Sequence, residues 1–362
     1  MTVLLNRGLP MFACCLAAVA LLAGSTTAAD TVVLLVDKVY TGAGGNPIDG
    51  PIVIVDGKIA RVGGGVPGGA TVIDHSGSSA CAGFVDALTQ LGGQGAFDEP
   101  ARSVTSDVDA FEAFDPFHDA FDRAVQSGVT MVGLSPSSAN LIGGRMAVVR
   151  TRTDGEEAGA VGEGPLRMAL SRSALQATRT PTSRMGAMHM LRAEVSAGLP
   201  GSGSIIIEAN SADEIRLALQ VLKEAGRPVT LLQPTGADRA LATLSGSGAR
   251  AVLGPYRLTT STRALRTGGV LDAAAIEVAF TANGNGSALR LTAALAVRAG
   301  MDGDAALASI TSVPASILGV ADSGKIQAGK RGDVLIFDGH PLDLGSKLEA
   351  VYCAGVAVDL DD

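Results

Sequence analysis

The chain has 362 residues, of which 47% are hydrophobic and 18% charged, and a formal net charge of −8. That composition is globular, long enough to bury a sizeable core in one large domain or two smaller ones, and it excludes a disordered tail protein. No block of basic residues appears, Trp is absent and Tyr numbers only 3, so nucleic-acid binding and aromatic platforms for sugars or single-stranded bases are excluded as the main role.

Residues 1–29 read as a secretory signal peptide. Arg7 gives the charged start, residues 11–24 (MFACCLAAVALLAG) are apolar but short for a membrane span, and Thr27-Ala28-Ala29 is a small-residue cleavage site. The expected destination is secreted or periplasmic, with nothing spanning the membrane after cleavage. Cys81 and Cys353 then remain, either as a disulfide or as two small buried hydrophobes.

Residues 30–82 alternate short apolar runs with tight turns. Runs at 31–36, 51–55, 58–62 and 70–74 read as strands of a small antiparallel unit, with Asp56-Gly57 as a hairpin turn. A buried-type strand follows at 83–88, a helix over about 115–126, a strand at 129–134 and a hairpin arm at 147–151. The apolar spacing over 166–195 predicts one long helix. Short apolar strands at 204–208, 229–232, 251–254 and 276–280 alternate with helical runs such as 212–225 and 286–299. Such alternation means βα units and a parallel sheet, and six or seven strands over this length predict a TIM-like (β/α) barrel that is short of eight. Strands return at 333–338, 348–352 and 356–358. The expected fold is α/β, with a barrel over 83–321 and a small β-sandwich made jointly by 30–82 and 322–362. Gly-rich stretches at 63–65 and 201–203 lead into no Lys-Ser or Lys-Thr phosphate loop, which argues against nucleotide binding.

Four stretches resemble the amidohydrolase superfamily, in its imidazolonepropionase-like branch. Ala82-Gly83-Phe84-Val85-Asp86-Ala87 is similar to the family's first barrel strand. Gly128-Val129-Thr130 with Asn140-Leu141-Ile142-Gly143-Gly144 resembles its second strand and following loop. Residues 307–320 (LASITSVPASILGV) and 324–333 (GKIQAGKRGD) resemble the two C-terminal motifs. The resemblance implies metal-assisted hydrolysis of non-peptide C–N bonds, in which Zn or another divalent ion lowers the pKa of bound water.

The ligand positions that the resemblance implies hold other residues. Leu88 and Gln90 stand where the family has a His pair, Glu208 at a strand-end ligand, Gln233 at a further His and Asn283 at the proton-shuttling Asp. Leu cannot bind a metal, and Gln and Asn amides are poor ligands for Zn²⁺ and poor bases. No metal cofactor is therefore expected. Glu208 and Asp86 remain as candidate acid–base residues, each with a purely structural reading beside it, with Asp98 or Glu99 as a further carboxylate. The four histidines form no ligand pattern: His75 reads as a turn residue, His118 as a helix start, His189 as a helix side chain and His340 as part of a loop between C-terminal strands. The expectation is a catalytically inactive binding or scaffold protein whose partner is a small molecule or a protein. The alternative is an active hydrolase with a rebuilt carboxylate-based or mononuclear site.

Overall fold

A computed structural model describes residues 30–93, 97–153 and 157–360. The signal peptide read from the sequence lies outside them.

The two ends of the chain share one seven-stranded sheet. The first end supplies β1 (Thr31–Tyr40), β2 (Ile52–Val55), β3 (Lys58–Val62) and β4 (Thr71–Ala82). The hairpin turn forms at Asp56-Gly57, both in the left-handed region. The unit is not purely antiparallel as predicted: β1 pairs with β2 antiparallel but with β4 in parallel. The predicted strand at 70–74 is the start of β4, which runs on for 12 residues and places His75 within a strand rather than a turn. There its Nε2 lies 2.8 Å from the Tyr352 hydroxyl. Polar and small residues at 75–79 mimic turn chemistry, and pairing with the C-terminal strands overrides it.

The middle of the chain forms an eight-stranded sheet curled into a nearly closed barrel. Its members are β5 (Phe84–Thr89), β6 (Val129–Leu134), β7 (Ile142–Arg150), β8 (Gly159–Ala169), β9 (Ile205–Glu208), β10 (Val229–Leu232), β11 (Arg250–Leu253) and β12 (Val278–Phe280). The strand count is thus eight rather than six or seven. The missing strand was hidden in the predicted helix at 166–195. That stretch divides into the end of β8, a short turn, and a helix only from Arg184 to Ala197. Its apolar residues fit both periods, and pairing of β8 with β7 and β9 decides for extended backbone. Only β7 runs against its neighbours.

The helices are α1 (Ala120–Gln126), α2 (Arg184–Ala197), α3 (Ala212–Leu222), α4 (Leu241–Ser245), α5 (Thr262–Ala273), α6 (Gly286–Arg298), α7 (Gly303–Ala308) and α8 (Ser312–Ile317). Alternate strand residues face opposite ways. Ile205, Ile207, Leu231, Leu253 and Phe280 pack outward with the helices, while Val85, Met131, Ile206, Val252 and Ala279 fill the barrel interior. Ala315, Ile317 and Leu318 close the interior at the end opposite the mouth, where Ser204 and Arg250, at the strand starts, bond to Ile317 and Ser316.

β12 and β5 do not pair as a ladder. The turn between α7 and α8 fills the seam instead: the Phe280 N–H donates to Ser309 C=O and the Val85 N–H to Ile310 C=O, each 2.8 Å. The chain then returns to the first sheet as β13 (Val334–Phe337), β14 (Leu348–Cys353) and β15 (Val356–Ala357). Cys81 on β4 and Cys353 on β14 are free and buried. β13 lies between their strands, which holds them about two strand spacings apart and beyond disulfide reach.

Candidate functional site at the barrel mouth

The C-terminal ends of the barrel strands surround a cavity of about 240 Å³. Leu88, Gln90, Glu208, Gln233 and Asn283 all line it, so five positions widely separated in sequence meet at one mouth. Asp86 does not line it. It is 2% exposed and sits in the β12–β5 seam, where its carboxylate accepts the N–H of Leu88 at 3.2 Å and of Ala282 at 3.1 Å. Burial raises its pKa to about 6, against the lowering effect of the Thr281 hydroxyl and the Leu88, Ala282 and Gly284 amides. Asp86 therefore joins strands that share no ladder. Asp98 and Glu99 also stand outside the cavity wall: Asp98 accepts the Ser137 N–H at 2.7 Å and Glu99 the Ala101 N–H at 2.9 Å.

The residue that organises the mouth is Arg167 on β8. It follows the inward face set by Ile206, its register partner on β9. Its side chain is 1% exposed and lies 3.5 Å from the Glu208 carboxylate, itself 13% exposed. Ser138 links the two: its Oγ accepts from Arg167 Nη2 at 2.5 Å and its hydroxyl donates to Glu208 Oε2. Arg167 Nη1 donates to the Met168 carbonyl, and its Nε has no partner among the described residues. Desolvation lowers the Arg167 pKa to about 10, offset by Glu208 and Asp98, so the guanidinium stays charged at neutral pH. Sequence reading missed this residue because it fell inside the supposed helix. The available signal was a lone cation between Leu166 and Met168, two side chains of a buried face.

Two mouth residues hold left-handed backbone without being glycine: Gln233 (φ +53) and Asn283 (φ +48). Such strain persists only where the surroundings enforce it. The Gln233 amide donates to Gly254 C=O, and its own carbonyl accepts from Asn210 Nδ2 at 2.9 Å. Asn283 is held through its N–H on Thr281 Oγ1 at 2.9 Å, and the Thr281 hydroxyl donates to Leu88 C=O. Gln90 Nε2 is buried with no acceptor among the described residues.

A divalent metal does not suit this donor set. Glu208 is the only carboxylate lining the cavity, and a buried guanidinium already shares its charge. No group of three His, Cys, Asp or Glu positioned to hold a metal exists among the described residues. The histidines stand elsewhere. His118 caps the Ala120 N–H at 3.2 Å, His340 caps Leu342 at 3.0 Å and packs edge-on against Tyr40, and His189 is exposed on α2.

Solved structures share this architecture. An amidohydrolase from Thermotoga maritima MSB8 aligns with a TM-score of 0.80 at 25% identity, over 91% of this chain and 99% of the other. The fold is shared with amidohydrolases. Molinate hydrolase (TM-score 0.58, 15% identity, 92% and 95% covered) has it too. So does a Xaa-Pro dipeptidase with methionine bound in its active site (0.56, 16%, 90% and 99%). No protein-family model matches the sequence, and no curated protein matches it. Among the described residues, no helix is long and apolar enough to cross a membrane.

Proposed function

We propose that this chain is a secreted member of the amidohydrolase superfamily, of its imidazolonepropionase-like branch, whose barrel mouth binds a small polar molecule instead of hydrolysing a C–N bond. The structural neighbours support the superfamily, and the motifs at 307–320 and 324–333 support the branch. One observation carries the loss of hydrolysis: the buried Arg167–Glu208 pair. Metal-assisted hydrolysis concentrates anionic and imidazole ligands around a cation. Here a fixed guanidinium neutralises the one carboxylate, and Leu88 adds an apolar wall. What remains is a cavity with three side-chain amides, two serines and an ion pair. Such a lining matches a small ligand carrying both hydrogen-bond donors and acceptors.

The test is elemental analysis of the purified protein after incubation with Zn²⁺, Mn²⁺ and Co²⁺ and desalting, with amide, lactam and dipeptide hydrolysis assayed beside it. The expected result is no retained metal and no turnover that Glu208→Ala removes. Near-stoichiometric metal, or turnover abolished by Glu208→Ala, would instead establish the rebuilt hydrolase.

A further inference from the structure

Four successive connections on the mouth face of the barrel end around a second cavity, outside the mouth and about 580 Å³ in volume. Arg172 reaches it after β8, Ser211 after β9, Thr235 and Arg239 after β10, and Arg263 from the first turn of α5 after β11. Three guanidinium groups from three separate connections thus face one space.

Their charges are not balanced locally. Arg263 pairs with Asp238 at 2.9 Å, but Arg172 and Arg239 have no carboxylate partner among the described residues. Glu214 is the one acid in the cavity wall, and it is committed elsewhere. Its carboxylate accepts the Asn210 and Ser211 amides at 2.9 and 3.0 Å and pairs with Arg184 at 2.9 Å. Two uncompensated positive charges therefore face one cleft in a chain whose net charge is −8. Both side chains stand exposed at the cleft, where an anion meets two guanidinium groups without a local counter-charge.

The backbone adds to the same side. Gly236 and Ala212, the first residue of α3, both line the cavity. A methyl group added at Gly236 would lie 2.5 Å from the Ala212 amide nitrogen. Only glycine allows the connection after β10 to pack this closely against the start of α3, which holds Thr235 and Arg239 beside Ser211.

We propose that this cleft binds a phosphate group, at a site separate from the barrel mouth. A dianion matches the two uncompensated arginines, whereas a single carboxylate would leave one unpaired. Guanidinium forks bind phosphate oxygens in bidentate fashion. The volume exceeds what phosphate alone fills, which leaves room for the remainder of a small phosphomonoester.

The test is calorimetric titration of the full chain, at low ionic strength and neutral pH, with inorganic phosphate and separately with glycerol 3-phosphate. One saturable site is expected. The exposed double substitution Arg172→Gln/Arg239→Gln should weaken it at least ten-fold with the melting temperature unchanged. Arg298→Gln, exposed on α6, should bind as the parent does. Tighter binding of glycerol 3-phosphate assigns the site to a phosphomonoester, and equal binding assigns it to free phosphate. Absence of saturable binding for both probes, or undiminished affinity in the double variant, overturns the proposal.

Discussion

Replacing Arg167 by Met tests the central inference about the barrel mouth. The Arg167–Glu208 separation is 3.5 Å, with side-chain exposures of 1% and 13%. At an effective dielectric constant of about 20 the attraction is about 5 kcal/mol. Most of that offsets the cost of taking both charges out of water, so the pair contributes little net stability. Removing one partner is different, because the other charge stays buried without compensation. Arg167→Met should therefore cost about 3–5 kcal/mol. Glu208→Gln should cost less, about 2–3 kcal/mol, since the Met168 carbonyl and Ser138 still receive the guanidinium. The double variant Arg167→Met/Glu208→Gln should return to within about 1 kcal/mol of the parent, because no isolated charge remains. The chain has no Trp, so urea unfolding followed by far-ultraviolet circular dichroism is the suitable readout. Two single variants that each cost under about 1 kcal/mol and add independently would refute the reasoning, since coupled buried charges must be strongly non-additive.

Asp86 should give the fold a pH-dependent term. Its pKa is raised in the fold to about 6 from the ordinary 3.8, chiefly by burial. The stability tied to its protonated form is complete below about pH 4 and is lost as the pH rises through 6, a change of about 3 kcal/mol. Asp86→Asn cannot ionise, so its stability relative to the parent should improve by that amount between pH 4 and 7; parallel curves for the two proteins would contradict the assignment. Gly324 has φ +79, and a methyl group added there would lie 2.5 Å from the Thr311 carbonyl oxygen. Gly324→Ala should cost about 2–4 kcal/mol, while Gly329→Ala, at φ +83 with nothing within 4 Å, should cost only about 1. Equal losses in thermal melts would show that backbone strain alone, not the close approach, decides both positions.

The sequence determined what depends on local chemistry. Short, mostly apolar runs such as Ile205–Glu208 and Val229–Leu232 identify themselves as buried parallel strands, and Asp56-Gly57 identifies a hairpin. The positions that meet at the mouth, Leu88, Gln90, Glu208, Gln233 and Asn283, were legible only through the resemblance to the amidohydrolase superfamily, which implies ligand positions there; each sits at or just beyond a strand end, where a barrel brings distant segments together. Tertiary structure alone decided the rest. The apolar period around Leu166 is ambiguous between strand and helix until β7 and β9 lie beside it, and Arg167 enters the mouth only as a consequence. The parallel pairing of β1 with β4 and the filling of the β12–β5 seam by Ser309 and Ile310 likewise have no local signature. The charge balance of the mouth and of the arginine-lined cleft is set by partners tens of residues apart. An ion pair such as Arg167–Glu208 depends on distance and burial in space, and neither quantity exists in the chain until it folds.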